Sequence, residues 1–269
     1  MITQYYRPQT LEEALQLLSR EDTHPLGGGT LLSRPIEESF SVVDLQMLGL
    51  DQLRKSGGNL QIGATVTLQT LLESSSIPKA LKKALALEAP LNLRTMGTVA
   101  GTLVICDGRS PFAVVMLVLD AKMNFAPGNE NITLGDYLTI RVGMDVDHPI
   151  PSARPVSAVR SLPPGGPGKL ITKIDIPLNV RLAFETVARS PADKPIVCAA
   201  LAQWPSGRTR LALGGWGQAP ALALDGNGPD DLDAAARNAF SEAGDEWASK
   251  EYRNEIAAVL AKRCLAAMV

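Results

Sequence analysis

The chain has 269 residues, a formal net charge of −2 from 26 Lys and Arg against 28 Asp and Glu, 45% apolar residues, 4% aromatics and only two histidines. That supports one large domain or two small ones; the balanced charge argues against a nucleic-acid binder, and no run approaches the ~18 apolar residues of a membrane span. Cys106, Cys198 and Cys264 lie far apart with no zinc or iron-sulfur spacing, and Met1 to Arg7 lacks a secretion signal, so a soluble cytoplasmic protein without a metal site of its own is expected.

After Pro8, the Thr10-Leu-Glu-Glu13 capping box and the spacing of Leu11, Leu15 and Leu18 predict a short helix ending near Arg20. His24-Pro-Leu-Gly-Gly-Gly-Thr30 reads as a turn, with His24 a solvated turn residue. Val42-Val43 and the alternating Leu60, Ile62 and Ala64 read as strands, and Thr67 to Leu72 and Ile77 to Leu87 as helices. Leu93 to Cys106 is rich in Gly and Thr; the apolar run Phe112 to Leu119 fits a buried helix or strand equally. His148 to Gly168 then holds six prolines and three glycines, which neither a helix nor a central strand sustains, and a domain boundary is placed there. Beyond it Leu170 to Ile176 alternates as a strand. Pro195 to Gln203 and Arg208 to Leu213 form a hairpin through Trp204-Pro-Ser-Gly207. From Asp230 the chain reads as helical, with Tyr252, Ile256, Val259, Leu260 and Cys264 on one face and Arg253 off it.

The sole Gly-Lys pair, Gly168-Lys169, precedes Leu170, so no Walker loop exists. The Gly27 triplet does not fit GxGxxG, and two histidines in proline-flanked turns give a poor basis for a histidine-rich metal site or a hydrolytic triad. Two Gly/Thr segments remain, Pro25 to Leu32 and Arg94 to Leu103. Such segments can turn successive backbone N–H groups toward an anion such as a pyrophosphate, or they can be tight turns and close packing.

In order along the chain stand Tyr6-Arg-Pro-Gln-Thr-Leu-Glu-Glu-Ala14, the Gly-Gly-Gly-Thr segment, Ile62-Gly-Ala-Thr-Val-Thr67, Leu93 to Thr102, Leu119-Asp-Ala121, Leu170 to Pro177, Leu213-Gly-Gly-Trp-Gly-Gln-Ala-Pro220 and Glu251-Tyr-Arg-Asn254. This series resembles the FAD-binding medium subunits of molybdenum hydroxylases, the carbon monoxide dehydrogenase and xanthine dehydrogenase group. The resemblance implies an α+β protein with a vanillyl-alcohol-oxidase-type FAD-binding fold. Two α/β subdomains, about 1–55 and 56–155, would make up an FAD-binding domain over 1–155. A C-terminal domain over 165–269 would pair a three-stranded antiparallel sheet with a helical bundle.

It also implies a role. A large molybdenum subunit carrying molybdopterin would oxidise the substrate, a small subunit with [2Fe-2S] clusters would pass the electrons on, and this chain would collect them on FAD for an external acceptor. No catalytic acid-base residue is then required here, because the chemistry is the cofactor's. The alternative is a structural or assembly subunit of the same complex with weakened or lost FAD binding. By the same resemblance the cofactor-binding residues are Leu26, Gly27, Gly28, Gly29, Thr30 and Leu31, then Thr98, Val99, Ala100, Gly101 and Thr102, with Ile171. The backbone amides of both segments would hold the pyrophosphate. Leu31 replaces the family's usual Asp or Asn, Ala100 a glycine and Thr102 an asparagine. Pro111, Lys169 and Thr186 depart from the pattern as well. An alanine at position 100 would resist a positive φ.

Overall fold

The computed structural model describes residues 1–33, 39–128, 130–144 and 168–268. Residues 148–167, and with them His148 and most of the expected linker, lie outside the described residues. The chain opens with β1 (Ile2–Tyr6), α1 (Leu11–Leu18), β2 (Thr23–Leu26), β3 (Phe40–Asp44) and a 3-10 turn (Gln46–Leu48). There follow β4 (Leu53–Ser56), β5 (Asn59–Gly63), α2 (Leu68–Glu73), α3 (Lys79–Glu88), α4 (Leu91–Arg94), α5 (Val99–Ile105) and α6 (Pro111–Val118). Next come β6 (Lys122–Ala126), β7 (Glu130–Thr133), α7 (Leu134–Met144), β8 (Leu170–Pro177), β9 (Arg181–Val187) and β10 (Val197–Gln203). The chain closes with β11 (Arg208–Gly214), β12 (Ala221–Asn227), α8 (Leu232–Ala239) and α9 (Lys250–Ala266).

These elements gather into two compact units that interleave along the chain. One comprises Met1–Glu73, Leu91–Ile105 and Lys122–Asp175; the other comprises Ser74–Pro90, Cys106–Ala121 and Ile176–Val269. The grouping differs from a single cut between residues 155 and 165. The reason lies in β10.

In the second unit, β12-β11-β10-β9 form a four-stranded antiparallel sheet. Val197 to Ala202 of β10 are all buried, although successive side chains of a strand point to opposite faces. Both faces must therefore be covered. Val197, Ala199 and Leu201 pack with Leu232, Ala236, Phe240, Ala257 and Leu260 of the C-terminal helical region. Helices α3 and α6 also pack against strands of this sheet, so two helices distant in sequence are recruited by an apolar strand.

The expected three-stranded C-terminal sheet is thus corrected to four strands flanked by helix pairs. Strand β12 lacks a sharp inside-outside alternation, since Leu222 is exposed and Ala223 and Leu224 are half-buried. Strand β8, expected to begin the C-terminal unit, pairs instead with β6, and Leu170 to Asp175 belong to the first unit. Arg253, expected off the core face, is fully buried: it donates to the Ile196 and Ala243 carbonyls at 3.3 and 3.0 Å and to Asp245 at 2.8 and 2.9 Å. These partners offset the desolvation of the guanidinium, and the helix packs through Ala257, Ala258 and Ala261 beside Leu260 and Cys264.

The ambiguous 112–119 run is helix α6, buried all round. Ser110 caps it and Pro111 opens it, a pairing that favours a helix start. Glu88 closes that end by accepting from Ser110 Oγ at 2.8 Å and Phe112 N–H at 3.0 Å. Enclosure of the carboxyl raises the Glu88 pKa above the ordinary carboxylate value, against the opposing pull of Lys194 and these hydrogen bonds.

In the first unit, β1-β3-β2 form a parallel sheet and β4-β5-β8-β6-β7 a five-stranded one. Helix α1 forms where expected, Thr10 Oγ1 accepting from Glu13 N–H at 3.2 Å; Glu13 reaches back one residue further than a capping box requires, to Gln9 N–H at 3.1 Å. Its Ala14, Leu17 and Leu18 pack on Val43, Leu45 and Leu170. His24 is no solvated turn residue: it is buried in β2, edge-on to Phe40 at 5.5 Å between ring centroids. Among the described residues, no helix is long and apolar enough to cross a membrane.

Candidate cofactor site

Two cavities, of about 400 and 460 Å³, share Gly27, Gly28, Thr65 and Thr98 as common walls in the first unit. Each falls within the ~300–1,000 Å³ typical of small-molecule and cofactor sites. The first is mainly apolar, with Leu31, Leu45, Val104, Phe125 and Ile171 among its lining. The second is rich in hydroxyls, with Thr67, Thr70 and Thr95 joined by Gln46 and Asp51. A ligand with one apolar and one polar part, lying across the shared residues, matches this pair of spaces.

Strand β2 delivers the first Gly/Thr segment to the walls that the two cavities share. Leu26 accepts from Leu45 N–H at 3.1 Å, and the chain then leaves the sheet. A Cβ on Gly28 would lie 1.7 Å from the Met96 carbonyl oxygen, so glycine is required by close backbone approach. Gly29 has φ +67, the left-handed region that side chains resist. Among the described residues, no acceptor pairs with the amides of Gly27, Gly28, Gly29 or Thr30. A run of open N–H groups of this kind suits an anion.

The second segment is built differently. Thr98 caps α5, its Oγ1 accepting from Gly101 N–H at 3.2 Å. Val99 and Ala100 donate their amides to the Val66 and Ala64 carbonyls at 2.8 and 3.2 Å, and Thr102 donates its amide to Thr98 at 2.9 Å. Thr102 Oγ1 donates to the same Thr98 carbonyl at 2.8 Å. Of the backbone donors expected from this side, the amides of Val99, Ala100, Gly101 and Thr102 are therefore engaged within the protein. Ala100 sits in helix rather than at a positive φ, so its side chain imposes no backbone strain. What the segment presents to the cavities is a wall of Thr98, Ala100 and Gly101.

Of the residues expected at the site, Gly27, Gly28, Gly29, Thr30, Leu31, Thr98, Ala100, Gly101 and Ile171 line the first cavity. Leu26, Val99 and Thr102 line neither. Leu26 packs instead on Leu32, Phe40 and Val42. Sequence reasoning gave no site role to Thr65, Thr67, Phe125 or Gly168. The signal for the threonines was present in the Ile62-Gly-Ala-Thr-Val-Thr67 motif, whereas Phe125 comes from a strand that carries no motif.

No group of three or more His, Cys, Asp or Glu is placed to hold a metal ion among the described residues. All three cysteines are buried; burial pushes Cys264 up to about 12 and Cys198 higher still, which keeps both as unreactive thiols.

Residues 1–179 match the model of the FAD binding domain in molybdopterin dehydrogenase. The chain belongs to that family. It is 30% identical to the uncharacterized protein YgfM of Escherichia coli (strain K12), over 97% of this chain and 94% of that one. It is 25% identical to the carbon monoxide dehydrogenase medium chain of Afipia carboxidovorans, over 97% and 94%. In fold it is similar to a chain of the reconstituted CO dehydrogenase from Oligotropha carboxidovorans, with TM-score 0.76, 24% identity and 98% and 96% of the two chains covered. Quinoline 2-oxidoreductase from Pseudomonas putida 86 has a chain at TM-score 0.75 and 22% identity, with 98% and 96% covered. The family resemblance drawn from the motifs is thereby established.

Proposed function

We propose that the chain is the FAD-binding medium subunit of a molybdenum hydroxylase complex, with the vanillyl-alcohol-oxidase-type arrangement, passing electrons from a partner's iron-sulfur clusters to an external acceptor. The observation that carries this reading is the Gly27–Thr30 segment, whose amides have no partner among the described residues and which stands where an apolar and a hydroxyl-rich cavity meet. The amides of Gly27, Gly28, Gly29 and Thr30 would hold the pyrophosphate. Leu31, Phe125 and Ile171 would exclude water from one end, and Thr65, Thr67 and Thr70 would offer hydroxyls at the other. Bound FAD supplies the redox chemistry, and the protein's part is placement. Relatives that are medium chains of carbon monoxide and glyceraldehyde dehydrogenases support a partnered role, with a small iron-sulfur and a large molybdopterin subunit as partners.

One observation favours a second reading, a scaffold subunit with weakened FAD binding: the Val99 to Thr102 amides are already engaged, so the cradle is one-sided. Purification with and without the two partner subunits separates the readings. A yellow complex that releases FAD on denaturation, and loses transfer to its acceptor when the flavin is stripped, is expected. A colourless complex that stays colourless in excess FAD yet retains full turnover overturns the relay.

A further inference from the structure

The Tyr6-Arg-Pro motif contributes no residue to either cavity, yet its arginine reaches the site through an intermediary. Asp44 ends β3 with its side chain 2% exposed, and three groups converge on it. Tyr5 donates its hydroxyl, Gln46 its backbone N–H at 3.0 Å, and Arg7 Nε stands 3.5 Å away. The Arg7 guanidinium also donates to Gln46 Oε1 at 3.4 Å. Arg7 therefore touches both the carboxylate that fixes the Gln46 backbone and the amide at the end of its side chain.

The two residues after Asp44 face the two cavities. Leu45 lines the first and donates its N–H to Leu26, the last residue before the glycine segment; Gln46 lines the second. We propose that Arg7 and Asp44 are positioning residues for the cofactor: together they lock Leu45 and Gln46, which sets the exit of the glycine segment and aims the Gln46 amide into the hydroxyl-rich cavity. Neither touches the cofactor, and both act through Gln46 and Leu45. A carboxylate suits this place because it accepts from several donors at once, which a neutral side chain does less well. The inference rests on the FAD reading above.

The test measures FAD dissociation constants by quenching of flavin fluorescence, and the thermal midpoint without FAD, for the full chain and for Arg7→Met, Asp44→Asn, Gln46→Ala and the Arg7→Met, Gln46→Ala double variant. Arg7→Met keeps the apolar stem at a half-exposed position, so it reports even if Asp44→Asn fails to fold. Arg7→Met and Gln46→Ala are each expected to weaken FAD by about fivefold to tenfold, the scale of one lost hydrogen bond. The double variant is expected to lose less than the product of the two single losses, because part of the Arg7 effect runs through the Gln46 side chain, and Arg7→Lys to recover part of the loss. An Arg7→Met constant within about twofold of wild type, or losses that multiply in the double variant, overturns the proposal alone. Wild-type protein that binds no FAD overturns the function reading and this one with it.

Discussion

The segments Gly27–Thr30 and Thr98–Thr102 are alike in composition and opposite in use. The first leaves a strand end, passes against the Met96 carbonyl where only glycine fits, and has no acceptor for its amides among the described residues. In the second, Thr98 begins a helix, and Val66, Ala64 and the Thr98 side chain take the amides of its first turn. A helix leaves its first N–H groups without intrahelical partners, and here neighbouring carbonyls supply them before any ligand can. Richness in Gly and Thr therefore says that a backbone can come close to something. Whether that something is an anion or the protein's own carbonyls is settled by what lies beside it.

The sharpest break of this comparison is Gly28→Val. Its first side-chain atom would overlap the Met96 carbonyl, so loss of detectable FAD binding is expected in equilibrium dialysis. Retention of full occupancy would show that the cradle lies elsewhere. Thr98→Ala should act mainly on stability, by about 1 kcal/mol through the lost helix cap, read as a lower denaturant midpoint. A larger effect on FAD affinity than on stability would restore the second segment as a direct ligand.

A smaller effect is expected from Ala100→Gly, which restores the family's usual residue. Because the position is helical, the variant should lose about 0.5–1 kcal/mol with unchanged FAD affinity. Tighter FAD binding would mean that the segment opens to adopt a left-handed turn. The smallest effect concerns the other capped helix start, at Ser110, where a carboxyl rather than carbonyls closes the end. The Glu88 pKa is raised by burial, so its contribution is fully present below the ordinary value of 4.5 and fades as pH rises through the folded value. Glu88→Gln should remove that decline, giving a flatter thermal midpoint against pH above 4.5. Parallel curves for the two proteins would show that Glu88 is not the group responsible.

Local signals carried much of the architecture. The capping residues of α1 at Thr10, the alternation of Leu170, Thr172, Ile174 and Ile176, and the turn at Trp204 to Gly207 each depend on contacts within a few residues, and each formed in the expected place. Strands β1, β2, β4, β7, β9 and β12 escaped notice because each lies at a sheet edge, where a clean alternation is not needed, and β6 because Met123 to Ala126 are buried on both faces. Arg253 was placed on the wrong face because a buried guanidinium breaks the rule that charge faces water, and only the converging carbonyls with Asp245 make its burial tolerable.

By itself the sequence determined the family and many of the local helices and strands, since these follow from side-chain shape and short-range hydrogen bonding, whereas the glycine demanded at position 28 answers to the distant Met96 carbonyl. Tertiary structure alone decided that β8 joins the first unit, that α3 and α6 cover the second sheet, and which Gly/Thr segment has its amides taken up by carbonyls of the described residues. Each of those outcomes depends on a partner distant in sequence: a free strand edge beside β6, an apolar strand with two faces to cover, and the carbonyls of Ala64 and Val66 waiting at the start of α5.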